Sequence, residues 1–307
     1  MNCVVARYGE IGTKARWVRR QFERKLAQNI YVHLKKHGVK SAKVKIIDAR
    51  IYVYAKNTIN ILKLLADVPG IVSYSPVQIV ENDIEKIKEL ALEIYKKVAD
   101  GRKRSFRITC SRSNKKFEHN SLQVAEKVGA YIVKKTGAKV KLKGFDINIS
   151  IEIRDNAYMF SKFLRGIGGL PIGSQERCIC LLSDIKSAIS AIQVIRRGCK
   201  ASLLHLNKSK KGLAAAKRFY KHISDKFYSC EEPLKFTVLN TKEDVYTAAA
   251  ALAKEVKARA IVSGGGLDSI GKLKTAAKGT NLPILLPVVG MGKSEIDLAA
   301  KRFGLKR

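Results

Sequence analysis

A polar turn, Ser183-Asp184-Ile185-Lys186-Ser187, follows the apolar run Cys178-Ile179-Cys180-Leu181-Leu182. After it comes a helical pattern, Ala188 to Ile195, that stops at Arg196-Arg197-Gly198. A short apolar run reads as a buried strand, and a basic end followed by glycine reads as a helix C-terminus. A strand that feeds a helix through a tight turn is where α/β domains hold phosphates, because backbone N–H groups there point at the ligand. Glycines let the backbone approach the phosphates closely, and this turn has none. Asp184 sets a like charge against a phosphate, while Lys186 offers a compensating point charge. Ser183 and Ser187 offer hydroxyl donors, with Ser187 near the helix N-terminus. These residues predict a nucleotide site that is weakened or lost.

A second glycine-rich segment, Val262-Ser263-Gly264-Gly265-Gly266-Leu267-Asp268-Ser269, also lies between a strand and a helix. It reads in two ways. Gly264 and Gly265 form a compensating anion site at the same sheet edge, where crevices at strand C-termini gather ligands, or they form a turn that only re-enters a helix. Nucleophilic chemistry at sulfur needs a thiolate. Of the six cysteines, at 3, 110, 178, 180, 199 and 230, Cys178 and Cys180 share one strand face and read as core thiols. Cys230 sits beside Glu231 and Glu232, which disfavours the thiolate. Cys199, beside Arg196 and Arg197, is the remaining candidate for a reactive thiol, set against a purely structural role. The CxC spacing is not that of a zinc site, and His33, His37, His119 and His222 stand at no metal spacing. His205 lies within a predicted strand and reads as a core histidine rather than a base.

These groups sit in a chain of 307 residues carrying 60 basic and 26 acidic residues, a net charge of +34. The excess runs through every third of the sequence, so it is not a basic tail. Such a chain expects a large polyanionic partner, since solubility alone is met by mixed signs. Aromatic content of 7% suits reading of RNA shape and backbone more than single-strand stacking. No apolar run approaches a membrane span, the N-terminus meets Arg7 too early for a signal peptide, and the cysteine usage fits a reduced, cytoplasmic protein.

The elements that must position these groups fall into three segments. Residues 1–75 read β-α-β-β-α-β, a ferredoxin-like order, with strands at 2–7, 43–47, 50–54 and 71–77 and helices at 14–36 and 58–66. Residues 76–165 open with a helix at 81–98. A window at 102–117 follows, with seven basic residues and no acidic one. In it, alternation through Phe106, Ile108 and Cys110 turns Arg107 outward. A helix at 122–135 and strands at 139–142, 146–153 and 158–163 complete the segment. A linker at 166–177, punctuated by glycine and proline, leads to 178–307. There, strands at 178–182, 200–206, 235–239, 259–263 and 283–286 alternate with helices at 187–197, 209–225, 243–257, 270–277 and 293–303. This predicts a doubly wound, mainly parallel α/β domain.

The linker Gly166-Ile167-Gly168-Gly169-Leu170-Pro171-Ile172-Gly173-Ser174-Gln175 resembles the GGxPxG(S/T)Q segment of the tRNA 4-thiouridine synthetases (tRNA sulfurtransferases). There it joins an RNA-binding THUMP domain to an ATP-pyrophosphatase domain. The start Phe106-x-Ile108-x-x-x-Arg112 resembles a THUMP domain. Tyr8-Gly9-Glu10-Ile11 with Lys14, Phe22 and Asn29-Ile30 resembles the family's N-terminal domain. The family's Ser-Gly-Gly-x-Asp-Ser phosphate loop falls on 183–187, one residue short and without its glycines. Gly264 and Gly265 fall on a later segment lining the same cleft, typically Thr-Gly-Glu-x-Leu-Gly-Gln.

The resemblance implies ATP and magnesium as cofactors and tRNA as partner, gripped by Arg107, Arg112, Lys115 and Lys116 with Lys14 and Arg165. It also implies adenylation of uridine 8 followed by sulfur insertion. Residues 242–254 carry no cysteine insertion, and with the sequence ending at Arg307 no rhodanese domain is expected, so sulfur would come from an external donor protein. A homodimer stays open. Two alternatives stand beside this reading: a THUMP module that binds RNA without chemistry, and an unrelated nucleotide-binding enzyme built on the 263–269 loop.

Overall fold

The computed structural model describes residues 2–229, 231–271 and 280–306. Six elements realise the ferredoxin-like order: β1 (Asn2–Arg7), α1 (Arg16–Lys36), β2 (Lys43–Ile47), β3 (Arg50–Ala55), α2 (Thr58–Leu65) and β4 (Ser73–Val80). Next come α3 (Ile84–Ala99), β5 (Phe106–Arg112), α4 (Ser121–Thr136), β6 (Ile147–Ile153), β7 (Ala157–Phe160) and β8 (Leu164–Arg165). The C-terminal elements are β9 (Arg177–Leu181), α5 (Ile185–Arg196), β10 (Lys200–Leu206), α6 (Lys210–Lys226), β11 (Lys235–Leu239), α7 (Val245–Val256), β12 (Ala260–Val262), β13 (Ile284–Leu285) and α8 (Lys293–Phe303). The helix expected at 270–277 lies outside the described residues beyond Gly271.

The chain divides into two compact units. One holds β1 with Val39–Ala66 and Ser73–Arg165, and the other holds Tyr8–Gly38, Asp67–Val72 and the chain from Gly166 onward. The first unit is built on an eight-stranded sheet ordered β2-β3-β1-β4-β7-β6-β5, with β8 beside β4. Its pairings are antiparallel except β5 with β6, where Ile108 faces Ile149. Ile87, Ile94, Val124, Val128 and Ile132 bury the inner stripes of α3 and α4 against Phe106 and the isoleucines of β6. The ends of these helices are fixed by sequence. Asp83 accepts from Lys86 N at 2.9 Å, Asn120 and Gln123 form a reciprocal capping box, and Gly137 closes α4 at φ +67°, a left-handed position suited to glycine. The segment expected as a strand at 139–142 is a single bridge instead. Phe106 donates to Lys139 O and accepts from Lys141 N, after which the chain turns away.

In the second unit five parallel strands follow the order β11-β10-β9-β12-β13. The first strand in sequence, β9, is central, and β10 and β12 flank it. The order therefore reverses between β9 and β12, and such a switch point opens a crevice at the strand C-termini. Apolar residues fill both faces, with α5, α6 and α8 over one and α7 over the other. The linker is folded onto the end of α5: Leu170 N donates to Arg196 O (2.8 Å) and Gly173 N to Gly198 O (2.9 Å). A Cβ on Gly169 would stand 2.0 Å from Arg196 O, and φ is +83° there. Only glycine fits that approach. Helix α1 belongs to this unit, where Asn29 Nδ2 donates to Ile172 O at 2.9 Å.

Candidate functional site

The loops leaving β9 and β12 meet at the switch point. Leu181, Leu182, Ser183, Asp184, Ser187, Leu204, His205, Leu206, Lys208, Val245, Tyr246 and Ser263–Gly265 line a cleft of about 360 Å³ there. The structure thus brings Ser183, Ser187, Gly264 and Gly265 together. Lys186 is exposed and lines the neighbouring groove with Arg218 and Lys293 instead.

What the turn does is set by Asp184, the N-cap of α5. Its carboxylate accepts from Ser187 N at 2.8 Å. Ser187 is buried, and its Oγ accepts from Ser183 N and Asp184 N, both at 2.9 Å, while donating to Asp184 O at 2.7 Å. Three backbone N–H groups that a phosphate would recruit are spent inside the turn, and a carboxylate occupies the positive end of the helix dipole. Gly264 packs on this turn from above: a Cβ there would lie 2.5 Å from Ser187 N and 2.9 Å from Lys186 C. Its lack of a side chain serves close packing of the two loops. Ser263 Oγ is held by Tyr246 OH at 3.1 Å and takes Gly265 N at 3.3 Å. The residues present do not fit the phosphates of ATP. The cleft as a whole, about 360 Å³, lies within the range of small-molecule pockets.

His205 is buried, as a core histidine should be, but it also lines the cleft. Its Nδ1 donates to Leu182 O at 2.8 Å, which makes Nε2 the acceptor of the neutral ring. Nε2 has no partner. The signal in the sequence is position: a polar residue near the C-terminal end of an apolar strand, at the edge where such sheets bind ligands.

Cys199 precedes β10, at the sheet edge opposite the cleft. Hydrogen bonding to Cys178 and burial push its thiol well up, outweighing Arg197. Arg197 is paired with Glu10 at 2.7 Å, and Arg196 donates to Ile167 O at 2.8 Å. The arginines expected to activate Cys199 are thus engaged elsewhere. Cys178 is raised too, first by its contact with Cys180, 3.7 Å away. Among the described residues no group of three or more His, Cys, Asp or Glu is placed to hold a metal ion.

The basic candidates fall in both units. Lys115 and Lys116 are exposed on the loop that leaves β5. Arg112 builds that loop: its Nη1 donates to Phe117 O (2.8 Å) and His119 O (3.2 Å). Arg107 is half-buried, reaches Leu142 O at 3.4 Å and lies 5.7 Å over the Phe145 ring. Arg165 is exposed on β8. Lys14, in the second unit, is exposed just before α1. No helix among the described residues is long and apolar enough to cross a membrane.

Three family models match: the ThiI ferredoxin-like domain at 3–75, the THUMP domain at 81–162 and thiamine biosynthesis protein (ThiI) at 173–245 and 217–306. The chain is 37% identical to a probable tRNA sulfurtransferase of Methanocaldococcus jannaschii, over 98% of this chain and 87% of that protein. It is 31% identical to one of Thermococcus kodakarensis, over 99% and 88%. The crystal structure of PH1313 from Pyrococcus horikoshii superposes with a TM-score of 0.88 at 30% identity, covering 99% of this chain and all of that one. A 4-thiouridine synthetase solved in complex with RNA and bound ATP shares the fold at a TM-score of 0.85 and 22% identity, over 99% of this chain and 85% of that one. With near full-length identity above 30% and matching models from end to end, this chain belongs to the tRNA sulfurtransferase family.

Proposed function

We propose that this chain is a tRNA-binding member of its family that acts in the cytoplasm in thiolation of uridine 8 without adenylating the uridine itself. The observation that carries the reading is the closed capping box of Asp184 and Ser187. Adenylation needs ATP phosphates seated at an open helix N-terminus, whereas RNA binding needs only the cationic surface, which a net charge of +34 supplies. The ATP and magnesium expected of the family would serve a partner enzyme. Sulfur would likewise come from a separate donor protein, since burial and thiol–thiol contacts raise Cys178 and Cys199 and a thiolate is the form that carries sulfur. The working modules are residues 1–75, a THUMP segment at 76–165, the linker 166–177 and the α/β domain 178–307. Lys115 and Lys116 lead the RNA contacts, with Arg107, Arg165 and Lys14 supporting and Arg112 shaping the loop.

The test uses purified protein, unmodified tRNA, ATP and magnesium. tRNA should bind with affinity that falls steeply as salt rises, and AMP and pyrophosphate release should stay at the level of a control lacking tRNA. tRNA-dependent turnover would refute the non-adenylating half of the proposal. Salt-insensitive or absent binding would refute the RNA half.

A further inference from the structure

We propose that the groove between α6 and α8, beside the first turn of α5, is a docking site for an acidic amphipathic helix of a partner protein. The site rests on the reading above that adenylation and sulfur come from separate proteins, and it gives such a protein a place to bind.

The floor of the groove is apolar. Ile185 opens α5, Ala215 and Phe219 stand one turn apart on α6, Met291 precedes α8, and Ile296 lies within it. Together they line a space of about 490 Å³. Ile185, Ala215 and Met291 are half-buried, so part of their surface still faces water and gains by being covered. Methionine suits such a place, because its unbranched thioether adapts to the surface it meets. At the C-terminal end of α8 the two helices are tied, His222 Nε2 meeting Phe303 O at 2.8 Å. A trough between two helices is the form that receives the apolar face of a third.

The rim is cationic. Lys186, Arg218 and Lys293 border the floor from α5, α6 and α8, and all three are exposed. Among the described residues none of them has a carboxylate partner. The nearby acids are committed to backbone: Asp184 accepts from Ser187 N and Glu295 from Gly292 N, both at 2.8 Å. Three uncompensated cations around an apolar floor complement carboxylates set around an apolar stripe. Arg218 can take a carboxylate as a planar fork, while the lysines act as point charges. RNA would use the rim and leave the floor uncovered. The one ring lining the groove, Phe219, is 4% exposed with the Arg218 guanidinium 5.3 Å over its face, so no base can stack on it. Ser183 and Asp184 line both this groove and the switch-point cleft. A helix seated here therefore holds its protein beside the cleft.

Phage-displayed random peptides of about 16 residues, roughly four turns of helix, test the site. They are panned on the full chain at about 0.15 M salt. Those that also bind the triple variant Lys186→Glu, Arg218→Glu, Lys293→Glu are discarded, after a melting curve has shown that the variant folds. We expect the survivors to be rich in Asp and Glu, with apolar residues at i, i+3 and i+4. As synthetic peptides followed by fluorescence anisotropy, they should lose at least about tenfold in affinity on Arg218→Glu alone and about fivefold on Met291→Ser. No survivors, or survivors without acidic residues, would overturn the proposal. So would displacement of the peptides by pyrophosphate at an ionic strength where chloride has no effect, which would make the groove a seat for small anions. Arg218→Met should leave the salt slope of tRNA binding unchanged, and a fall of about 0.7–0.9 would give the groove to RNA and overturn the proposal. Each of these failures leaves the non-adenylating reading standing. tRNA-dependent release of AMP would overturn that reading without touching peptide binding.

Discussion

Glu152→Gln should destabilise the first unit. The Glu152 carboxylate is 6% exposed and meets three arginines: Arg7 Nε at 3.4 Å, Arg50 Nε at 3.5 Å and Arg154 Nη2 at 3.1 Å. Arg7 is partly buried, and that desolvation, with Arg50 adding to it, holds its guanidinium below the usual value. It also donates to Ser75 Oγ at 3.1 Å and lies 4.4 Å over the Phe160 ring. Removing the charge leaves three guanidinium groups converging on a neutral amide. Breaking a buried ion pair from one side costs about 3–5 kcal/mol. Glutamine keeps one acceptor oxygen and Arg50 retains some solvent access, so the low end, about 3 kcal/mol, is expected. At roughly 2–4 °C per kcal/mol this is a shift of roughly 6–12 °C in the melting of that unit. Hydrogen exchange followed by mass spectrometry should localise the loss to β1, β3, β6 and β7, with β9–β12 unchanged. Arg50→Gln in the Glu152→Gln background removes one surplus charge and should recover part of the loss, a coupling that a double-mutant cycle reads directly. Arg154 keeps a second carboxylate, Asp48 Oδ2 at 3.6 Å, so unchanged melting and protection in Glu152→Gln would refute the claim that Glu152 is the carboxylate that holds Arg7 and Arg50.

Three further outcomes are expected. Gly264→Ala should destabilise the second unit by about 1–3 kcal/mol, because its Cβ would meet backbone of α5 at 2.5–2.9 Å. Gly129→Ala, inside α4 with nothing within 4 Å of the new Cβ, should stabilise by about 0.5–1 kcal/mol. Thermal melts of the pair check the packing reading, and equal effects would contradict it. Lys115→Ala with Lys116→Ala should weaken tRNA binding and lower the salt slope by about 0.7–0.9 for each phosphate no longer neutralised, as read by filter binding across a salt series. Because burial and thiol–thiol contact raise Cys178 and Cys199, both should alkylate with iodoacetamide at neutral pH far more slowly in the folded chain than after unfolding. Fast labelling of Cys199 would restore it as a sulfur carrier.

The parallel domain is the most legible part of the sequence. Strands expected at 200–206 and 235–239 are β10 and β11 residue for residue, and the helix at 293–303 is α8. In that domain local signals agree, since apolar runs, caps and glycines all fall at the same boundaries. The bridge at 139–141 shows where alternation misleads. Lys139 to Leu142 has the strand period, but among the described residues only Phe106 offers it backbone partners. Nor does periodicity show that Tyr8–Gly38 groups with the C-terminal domain, because that grouping depends on contacts such as Asn29 to Ile172, 143 residues apart. At the site, the loss of glycines in 183–187 is visible as a defect. That Asp184 and Ser187 close the turn on themselves is harder to see, although Asp-x-x-Ser ahead of an apolar helix is the pattern of a cap. Treating Asp184 only as a repulsive charge misses its structural use. For the same reason Ser187, expected to donate to phosphate, has no donor capacity left.

The physical logic of the α5 turn separates two activities that the family unites. An open phosphate loop leaves several N–H groups without partners until an anion arrives, and that is a standing cost to the fold. Here the cost is removed locally by one carboxylate and one hydroxyl, and Gly264 locks the arrangement by resting on it. A capping interaction of this kind contributes about 1 kcal/mol, and its removal by a ligand would have to recover that amount before any binding appeared. The RNA-facing charge carries no such dependence. Lys115 and Lys116 sit on a loop held by Arg112 to Phe117 and His119, in the unit that does not contain the cleft. Arg112→Met should therefore loosen that loop and weaken tRNA binding while the affinity of the cleft for ATP stays constant. Asp184→Asn should raise the affinity of the cleft for ATP and leave tRNA binding constant. If either substitution moved both affinities together, the two functions would be coupled, and the separation argued from the cap would be wrong.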